Sequence, residues 1–501
     1  MPDPRSPVIV GVGQVSQRVT PADARAPIDL LADACRLARA DAQATASLLD
    51  RVGVIAIAAI GSWPYPDPGA LHARKLGIEP NATLVSTVGG NSPQLLVNEL
   101  ADRIQRNELD VAIVGGAEAM HTRWRARREP RVELTWEHGD DAPCEWVIGD
   151  GRPGANDYES AHSALAPPMV YPLFETAMRA ASGRTIDEHQ RHVSELWARF
   201  SAVAADNPNA WSRQAYSAEE IRTVTPDNRM VCFPYPKRMC ANIDVDQAAA
   251  LLLCSYEAAS AAGVPDDRMV FLHASAETND HYFFSERFTL TDSPGIATAV
   301  GDALAAAGIA VDDVARFDLY SCFPSAVQVA MRALKIADDD PRPLTVTGGL
   351  GFAGGPVNNY PTHAIARMVE VLRGDPTSFG CTTALGWYIS KHACGVWSAA
   401  PPANGFRRVD PATSQAKVDA LPRREAAGLV DGEVTIEATS VAVERDGSPT
   451  LGILTALTPD GRRAMANIRD KDALGTLMTE AHEGRAAALT NDGTTNTAEL
   501  R

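Results

Sequence analysis

No two of the eight cysteines (Cys35, Cys144, Cys232, Cys240, Cys254, Cys322, Cys381 and Cys394) stand in a C-x-x-C pair, so a structural zinc site of paired thiolates is not expected. Positive charge is also short. The 46 Lys and Arg face 63 Asp and Glu, for a net charge of -17, which argues against a nucleic-acid partner. No apolar run approaches the roughly 20 residues that cross a bilayer. No secretory signal precedes the first strand-like segment, "PVIVGVG", so the chain reads as cytoplasmic with reduced thiols. The glycine-rich "VGGN" and "GGLGFAGGP" lack the G-x-G-x-x-G spacing of a dinucleotide loop. Neither a metal nor a resident cofactor is expected.

What is present is a long alternation of strand and helix signals. The 501 residues, 45% of them hydrophobic, are ample for several cores. "PVIVGVG", "VGVIAIAAI" and "LDVAIVGGAEAM" read as buried strands, with "PIDLLADACRLARADA" and "SPQLLVNELADRIQRN" as helices. This βαβαβ order predicts a helix-covered parallel sheet. Residues 1–255 form a first half that carries an insertion at 121–240, a candidate lid. Residues 256–400 form a second half, in which "VARFDLYSCFPSAVQVAM" echoes the strand, polar turn, proline and helix around Thr87 to Pro93. Residues 401–430 read as a linker. Residues 431–490, with short strands and DG turns, read as a small antiparallel barrel, and 491–501 as a disordered tail.

One turn raises the functional question. In "LVSTVGGNSPQLLVNELADRI", Leu84 to Ile104, a strand ends in Gly89 and Gly90, and a helix begins at Pro93. Many α/β enzymes expose a nucleophile at such a turn. Here there is none, and no cysteine lies between Cys35 and Cys144.

Four segments, in order, are similar to the thiolase superfamily. "DVAIVGGAEAM" resembles the thiolase strand ending G-G-x-E-x-M, and "VTGGLGFAGGP" the G-G-x-x-x-x-G-H-P segment. "LYSCFPSA" stands where thiolases have N-E-A-F, or H-D-C-F in the sterol-carrier-protein branch, and "TTALGWYISKHACGVWS" stands at the final C-x-G loop. With "GGNSPQ", "PYPKRMCAN" and the appended barrel, the pattern most resembles the actinobacterial thiolase-like proteins type 1. The resemblance implies a duplicated, layered αβαβα thiolase fold with a large loop domain and a C-terminal β-barrel.

It also places the catalytic positions, and each one departs. The family's nucleophilic cysteine lies 28 residues before the glutamate of G-G-x-E, which counted back from Glu118 is Gly90. The thioester-holding Asn or His falls on Tyr320, the G-H-P histidine on Gly355, and the acid/base cysteine on Ala384, with its glycine at Gly386. Thiolase chemistry needs a thiolate and two acid/base groups, and none of these residues supplies them. Nominally the chain is an acyltransferase of the acetyl-CoA acetyltransferase kind, acting in fatty-acid or sterol degradation, with thiolase turnover lost.

What the family resemblance leaves open is ligand binding and a different chemistry. The N–H groups of Gly90 and Gly386 are either an oxyanion hole for an acyl-CoA thioester or merely parts of tight turns. Tyr320 is a candidate acid/base if its pKa is lowered, which would suit retro-aldol cleavage of a 3-hydroxyacyl-CoA, or it fills the space of the lost side chain. His392 is a candidate base or a structural histidine, and Cys322 reads as a small buried hydrophobe. Arg123, Arg125 and Arg127, in a group extending to Arg131, could meet CoA phosphates or form a solvated face. A homodimer and a monomer are both open. The barrel could play in cis the part of an OB-fold partner, and a non-catalytic scaffold or partner subunit is the third reading.

Overall fold

The computed structural model describes residues 2–128, 132–140 and 142–501. The first half runs β1 (Pro7–Ser16), α1 (Pro27–Asp41), β2 (Val52–Ile57), α2 (Pro68–Leu76), β3 (Ala82–Ser86), α3 (Ser92–Gln105) and β4 (Val111–Ala119). The insertion holds α4 (Met120–Ala126), β5 (Trp146–Ile148), α5 (Asp157–Ala161), α6 (Pro167–Ser182), α7 (Ile186–Asp206), α8 (Ala218–Arg222), β6 (Met230–Phe233) and β7 (Tyr235–Pro236). Then β8 (Asp246–Ser255) and α9 (Tyr256–Ala261) complete the half. The second half comprises β9 (Val270–Asn279), α10 (Pro294–Ala307), β10 (Val314–Asp318), α11 (Pro324–Ala333), α12 (Gly349–Phe352), α13 (Tyr360–Arg373), β11 (Phe379–Gly386) and β12 (Lys391–Ser398). After β13 (Arg407–Arg408) and α14 (Pro411–Asp419) come β14 (Gly432–Val443), β15 (Pro449–Leu457), β16 (Arg463–Ile468), α15 (Lys471–Thr479), β17 (Ala486–Asn491) and β18 (Asn496–Leu500).

Both halves use one strand order. In the first, β3-β2-β4-β8-β1 lie side by side, with β2 parallel to β3 and β4, and β8 antiparallel to β4 and β1. In the second, β10-β11-β12-β9 repeats the pattern, with β10 parallel to β11 and β12 antiparallel to β11 and β9. The other edge of β10 is met by residues 343–344, where Phe317 N–H donates to Pro343 O and Leu319 N–H to Leu344 O, both at 2.9 Å. Val8 and Ile9 pair with Phe271 and Val270 and join the halves into one sheet.

Two expectations need correcting here. The sheet is not parallel throughout, because the chain returns through the insertion and places β8 antiparallel between β4 and β1. The echo is also one unit out of step: β10–α11 occupies the place of β2–α2, while β3–α3 matches the 343–344 stretch and α13. Proline at a helix start is common to many βα units, so the local likeness did not carry position.

α3 is an inner helix, packed on β4, β8, β11, β12 and α13. Burying it on so many sides requires its polar groups to be paired. Gln94 Nε2 donates to Asn98 Oδ1 (2.9 Å), Asn98 Nδ2 to Glu277 Oε2 (2.7 Å), and Thr382 Oγ1 to Gln94 Oε1 (2.8 Å). This network sets where the turn before α3 meets the second half.

At the C-terminus β14-β15-β16-β18-β17 closes on itself as a five-strand barrel, and β6 of the insertion adds to β14. The segment expected as a disordered tail therefore supplies β18. Its polar composition hid the strand, because Asn496 is wholly buried: Oδ1 accepts from Val430 N–H, and Nδ2 donates to Gly428 O and Met465 O, each at 2.9 Å. The expected linker also carries structure, since α14 offers Gln415 Oε1 to Asn279 N–H (2.8 Å) and Thr278 Oγ1 (3.0 Å). Arg463, with no exposed side-chain surface, forks onto Glu437 (2.6 and 2.7 Å) and donates to Phe284 O (2.9 Å), pinning the barrel to the second half.

Asn496→Ala is expected to cost about 2–4 kcal/mol, because it takes the amide from the Val430 N–H and Met465 O, while Gly428 O keeps only the Tyr158 hydroxyl (3.0 Å). Exposed Glu499→Ala is expected to stay within about 0.5 kcal/mol. Chemical denaturation followed by barrel-specific hydrogen exchange reads both.

Candidate functional site

The site forms where the β3–α3 turn meets the ends of β10 and β11. Gly89 N–H donates to Asn358 Oδ1 (2.9 Å), and Asn358 Nδ2 holds Ala59 O (2.7 Å). Ser92 Oγ returns to Thr87 O (2.8 Å), so the turn is held at both ends. Among the described residues the Gly90 N–H pairs with no acceptor, and the buried Asn91 Oδ1 has no donor.

Gly90 stands where a side chain has no room. A Cβ there would lie 2.2 Å from the Tyr320 hydroxyl and 2.5 Å from Leu385 O. Tyr320 follows the end of β10; its N–H donates to Thr383 Oγ1 (2.9 Å), and its ring meets Tyr360 edge-on at 5.5 Å. Tyr360 is itself bonded to Asp318 (2.8 Å) and Thr347 (2.7 Å), which fixes the pair. Burial, with Cys322 beside it, pushes the Tyr320 hydroxyl well above its ordinary range. The lowered pKa that acid/base work would need is therefore not found. The phenol remains a protonated donor.

Tyr320, Ala384 and His392 line a shared cavity of about 10 Å³, room for about one water. His392 Nε2 faces Asp280 Oδ2 at 2.9 Å and Ile389 O at 3.1 Å, so it carries the hydrogen. Burial raises the Asp280 carboxyl, but the hydrogen bond and charge of His392, with Arg287, leave it below its usual range. Gly355 lies apart from this group. Its N–H donates to Asn242 O (2.9 Å), and a Cβ would meet only ordinary contacts, the nearest at 3.4 Å.

The side chain that does face the turn is Lys391, which the sequence did not single out. Its Nζ donates to Val88 O (2.7 Å) and Asp150 O (3.0 Å) and lies 5.9 Å from the Trp387 ring centroid. Its stem fills the space between Gly89 and Gly386: a Cβ on either would meet Lys391 Cε, at 2.9 and 2.8 Å. Burial brings the amine down to about 8, partly countered by Asp150. Lys391 and His392 are neighbours in a strand, so their side chains leave opposite faces. Only the tertiary register tells which of them meets the turn.

The β11–β12 turn is held from the insertion. Tyr171 Oη donates to Trp387 O (2.7 Å) and Tyr388 Oη to Leu165 O (2.5 Å), while Gly154 lies against the Trp387 ring. Trp387 and Ile389 have positive φ (57° and 59°), as does the β-branched Val357 (45°) beside Asn358. Such conformations are costly and concentrate at functional sites. Glu118, the motif glutamate, accepts from the N–H groups of Gly61 (2.8 Å) and Ser62 (2.7 Å), and burial raises its carboxyl to about 7.

The arginine group does not converge on Gly90. Arg123 donates to Gly61 O and Arg125 to Val19 O, both at 3.1 Å; Arg127 is exposed, and Arg131 lies outside the described residues. Among the described residues no helix is long and apolar enough to cross a membrane.

Residues 414–494 match the family model for the thiolase-like protein type 1 additional C-terminal domain. No curated protein matches the sequence. The acetyl-CoA acetyltransferase from Syntrophomonas wolfei (16% identity, TM-score 0.57) is matched over 79% of this chain and 100% of its own. The Ltp2-ChsH2(DUF35) aldolase (18%, TM-score 0.58) is matched over 79% of this chain and 98% of its own; at these identities both share the fold alone. The crystal structure of a monomeric SCP2-thiolase like protein type 1 from Mycobacterium smegmatis is matched over 100% of both chains, at 34% identity and a TM-score of 0.85. The chain belongs to the SCP2-thiolase-like protein type 1 family.

Proposed function

We propose that this protein binds acyl thioesters of coenzyme A without carrying out thiolase chemistry. The observation that carries this is the Tyr320 hydroxyl, 2.2 Å from where the first side-chain atom of a nucleophile at Gly90 would stand. An acyl-enzyme needs a nucleophile at that seat, and a protonated phenol pressed into it is not one. Support for thioester binding comes from the donors that remain. The Gly90 N–H is unpaired at the positive end of α3, and the Lys391 ammonium has three hydrogens but two acceptors. A carbonyl oxygen could take both free donors. In the Mycobacterium smegmatis relative the chain is monomeric, and we read this chain also as a monomer with its barrel in cis.

A second reading, carbon–carbon cleavage of a 3-hydroxyacyl-CoA, rests on Tyr320 and His392 lining one cavity. At about 10 Å³ that cavity admits no substrate, so cleavage there, like thioester binding beside Gly90, requires the 387–390 turn to open. A scaffold role stands if no CoA ester binds at all.

Calorimetry with acetyl-CoA is expected to show binding, with unchanged intact protein mass and no thiolysis of acetoacetyl-CoA. An acylated protein or thiolytic turnover sinks the reading. Aldehyde or ketone release from 3-hydroxyacyl-CoA, lost in Tyr320→Phe, would establish the lyase instead. Lys391→Met is expected to weaken acetyl-CoA binding about tenfold or more, the loss of one charge-assisted hydrogen bond. Gly90→Ala is expected to cost about 3 kcal/mol or more through overpacking, against less than about 1 kcal/mol for Gly355→Ala. Equal melting temperatures for the two variants would remove the steric argument.

A further inference from the structure

The barrel docks on the insertion and leaves between them a groove of about 870 Å³, within the range of small-molecule sites. Ile186, Met230, Phe233 and Pro236 form its apolar wall. At its floor Ile186, Gln190, Phe233, Glu480 and Ala481 are shared with a recess of about 10 Å³, the size of one water or hydroxyl oxygen.

The recess has a polar corner built around His189 and Glu175. His189, 2% exposed, lines it; Nε2 faces Glu175 Oε1 at 2.5 Å, and Nδ1 is buried with no partner. Glu175 is held further by Tyr235 Oη (2.6 Å) and Gln328 Nε2 (2.8 Å). The charges around the groove are already paired: Arg179 with Glu483, Arg222 with Glu219, Asp187 with Arg191, and Arg485 with Glu480 at 3.4 Å. A ligand bearing net charge would compete with these pairs. The unpartnered polar atom among the residues that line the recess is the buried His189 Nδ1, an acceptor in the neutral ring and a donor in the cation. A hydroxyl, which both donates and accepts, satisfies it in either state.

We propose that groove and recess form a binding site for a neutral ligand with an elongated apolar body and a terminal hydroxyl, the hydroxyl at His189 and the body along Ile186, Met230 and Phe233. None of these residues belongs to the site around Gly90.

Titration calorimetry on the full chain compares 1-octanol with 1-fluorooctane, a similar shape whose fluorine scarcely hydrogen-bonds. The alcohol is expected to bind roughly three- to tenfold tighter, the worth of one net hydrogen bond. His189→Gln keeps a donor toward Glu175 and removes the nitrogen at the recess, so it should abolish the preference and leave fluorooctane affinity unchanged. Met230→Asp, on the groove wall and outside the His189 network, should weaken both ligands. Equal affinity of the two ligands for the native chain overturns the proposal, as does binding of neither, a preference for octanoate, or a preference that survives His189→Gln. If His189→Gln fails to fold, the native contrast and Met230→Asp still decide.

Discussion

The close approach of the Gly90 backbone to the Tyr320 hydroxyl and to Leu385 O organises the site. Three chain segments meet there: the turn before α3, the end of β10 and the end of β11. Any side chain at position 90 would push them apart. The same approach buries the phenol, and burial keeps it protonated. Glycine at 90 and tyrosine at 320 are thus one arrangement. It leaves no room for a side chain at position 90 and, among the described residues, leaves the backbone N–H of the turn without an acceptor.

Lys391 completes that arrangement from the other side. Its stem occupies the volume between Gly89 and Gly386, and its amine links the turn after β3 to Asp150 of the insertion. Burying an amine is costly, and two carbonyl acceptors offset part of that cost. The residual cost appears as the lowered pKa. Tyr171, Tyr388 and the positive-φ residues Trp387 and Ile389 hold the neighbouring turn, so insertion and second half share one anchored corner. The insertion expected as a lid is bonded to this corner through Tyr171, Leu165 and Asp150.

The barrel is tied in by equally specific means. Arg463, fully buried, joins Glu437 to the carbonyl of Phe284, and β6 of the insertion extends β14. That docking creates the groove above His189. A recess with a buried histidine under an apolar wall exists only because two segments far apart in the chain meet there.

Much of the fold was legible because strand and helix signals are local and the motif segments keep their order and spacing. Position in the sheet was not, and the apparent echo of β10–α11 with β3–α3 misled for that reason. Polar composition concealed β18, since an asparagine whose amide is fully paired buries as readily as an apolar residue. The sequence by itself determined the order and spacing of the motif segments and that glycine, glycine and alanine stand at 90, 355 and 384, because identity at a spaced position needs no coordinates. Tertiary structure alone decided that Tyr320 packs against Gly90, that Lys391 and not His392 faces the turn, and that His189 lies in a recess beneath the groove. Those are contacts between residues far apart in the chain, and no local preference encodes them.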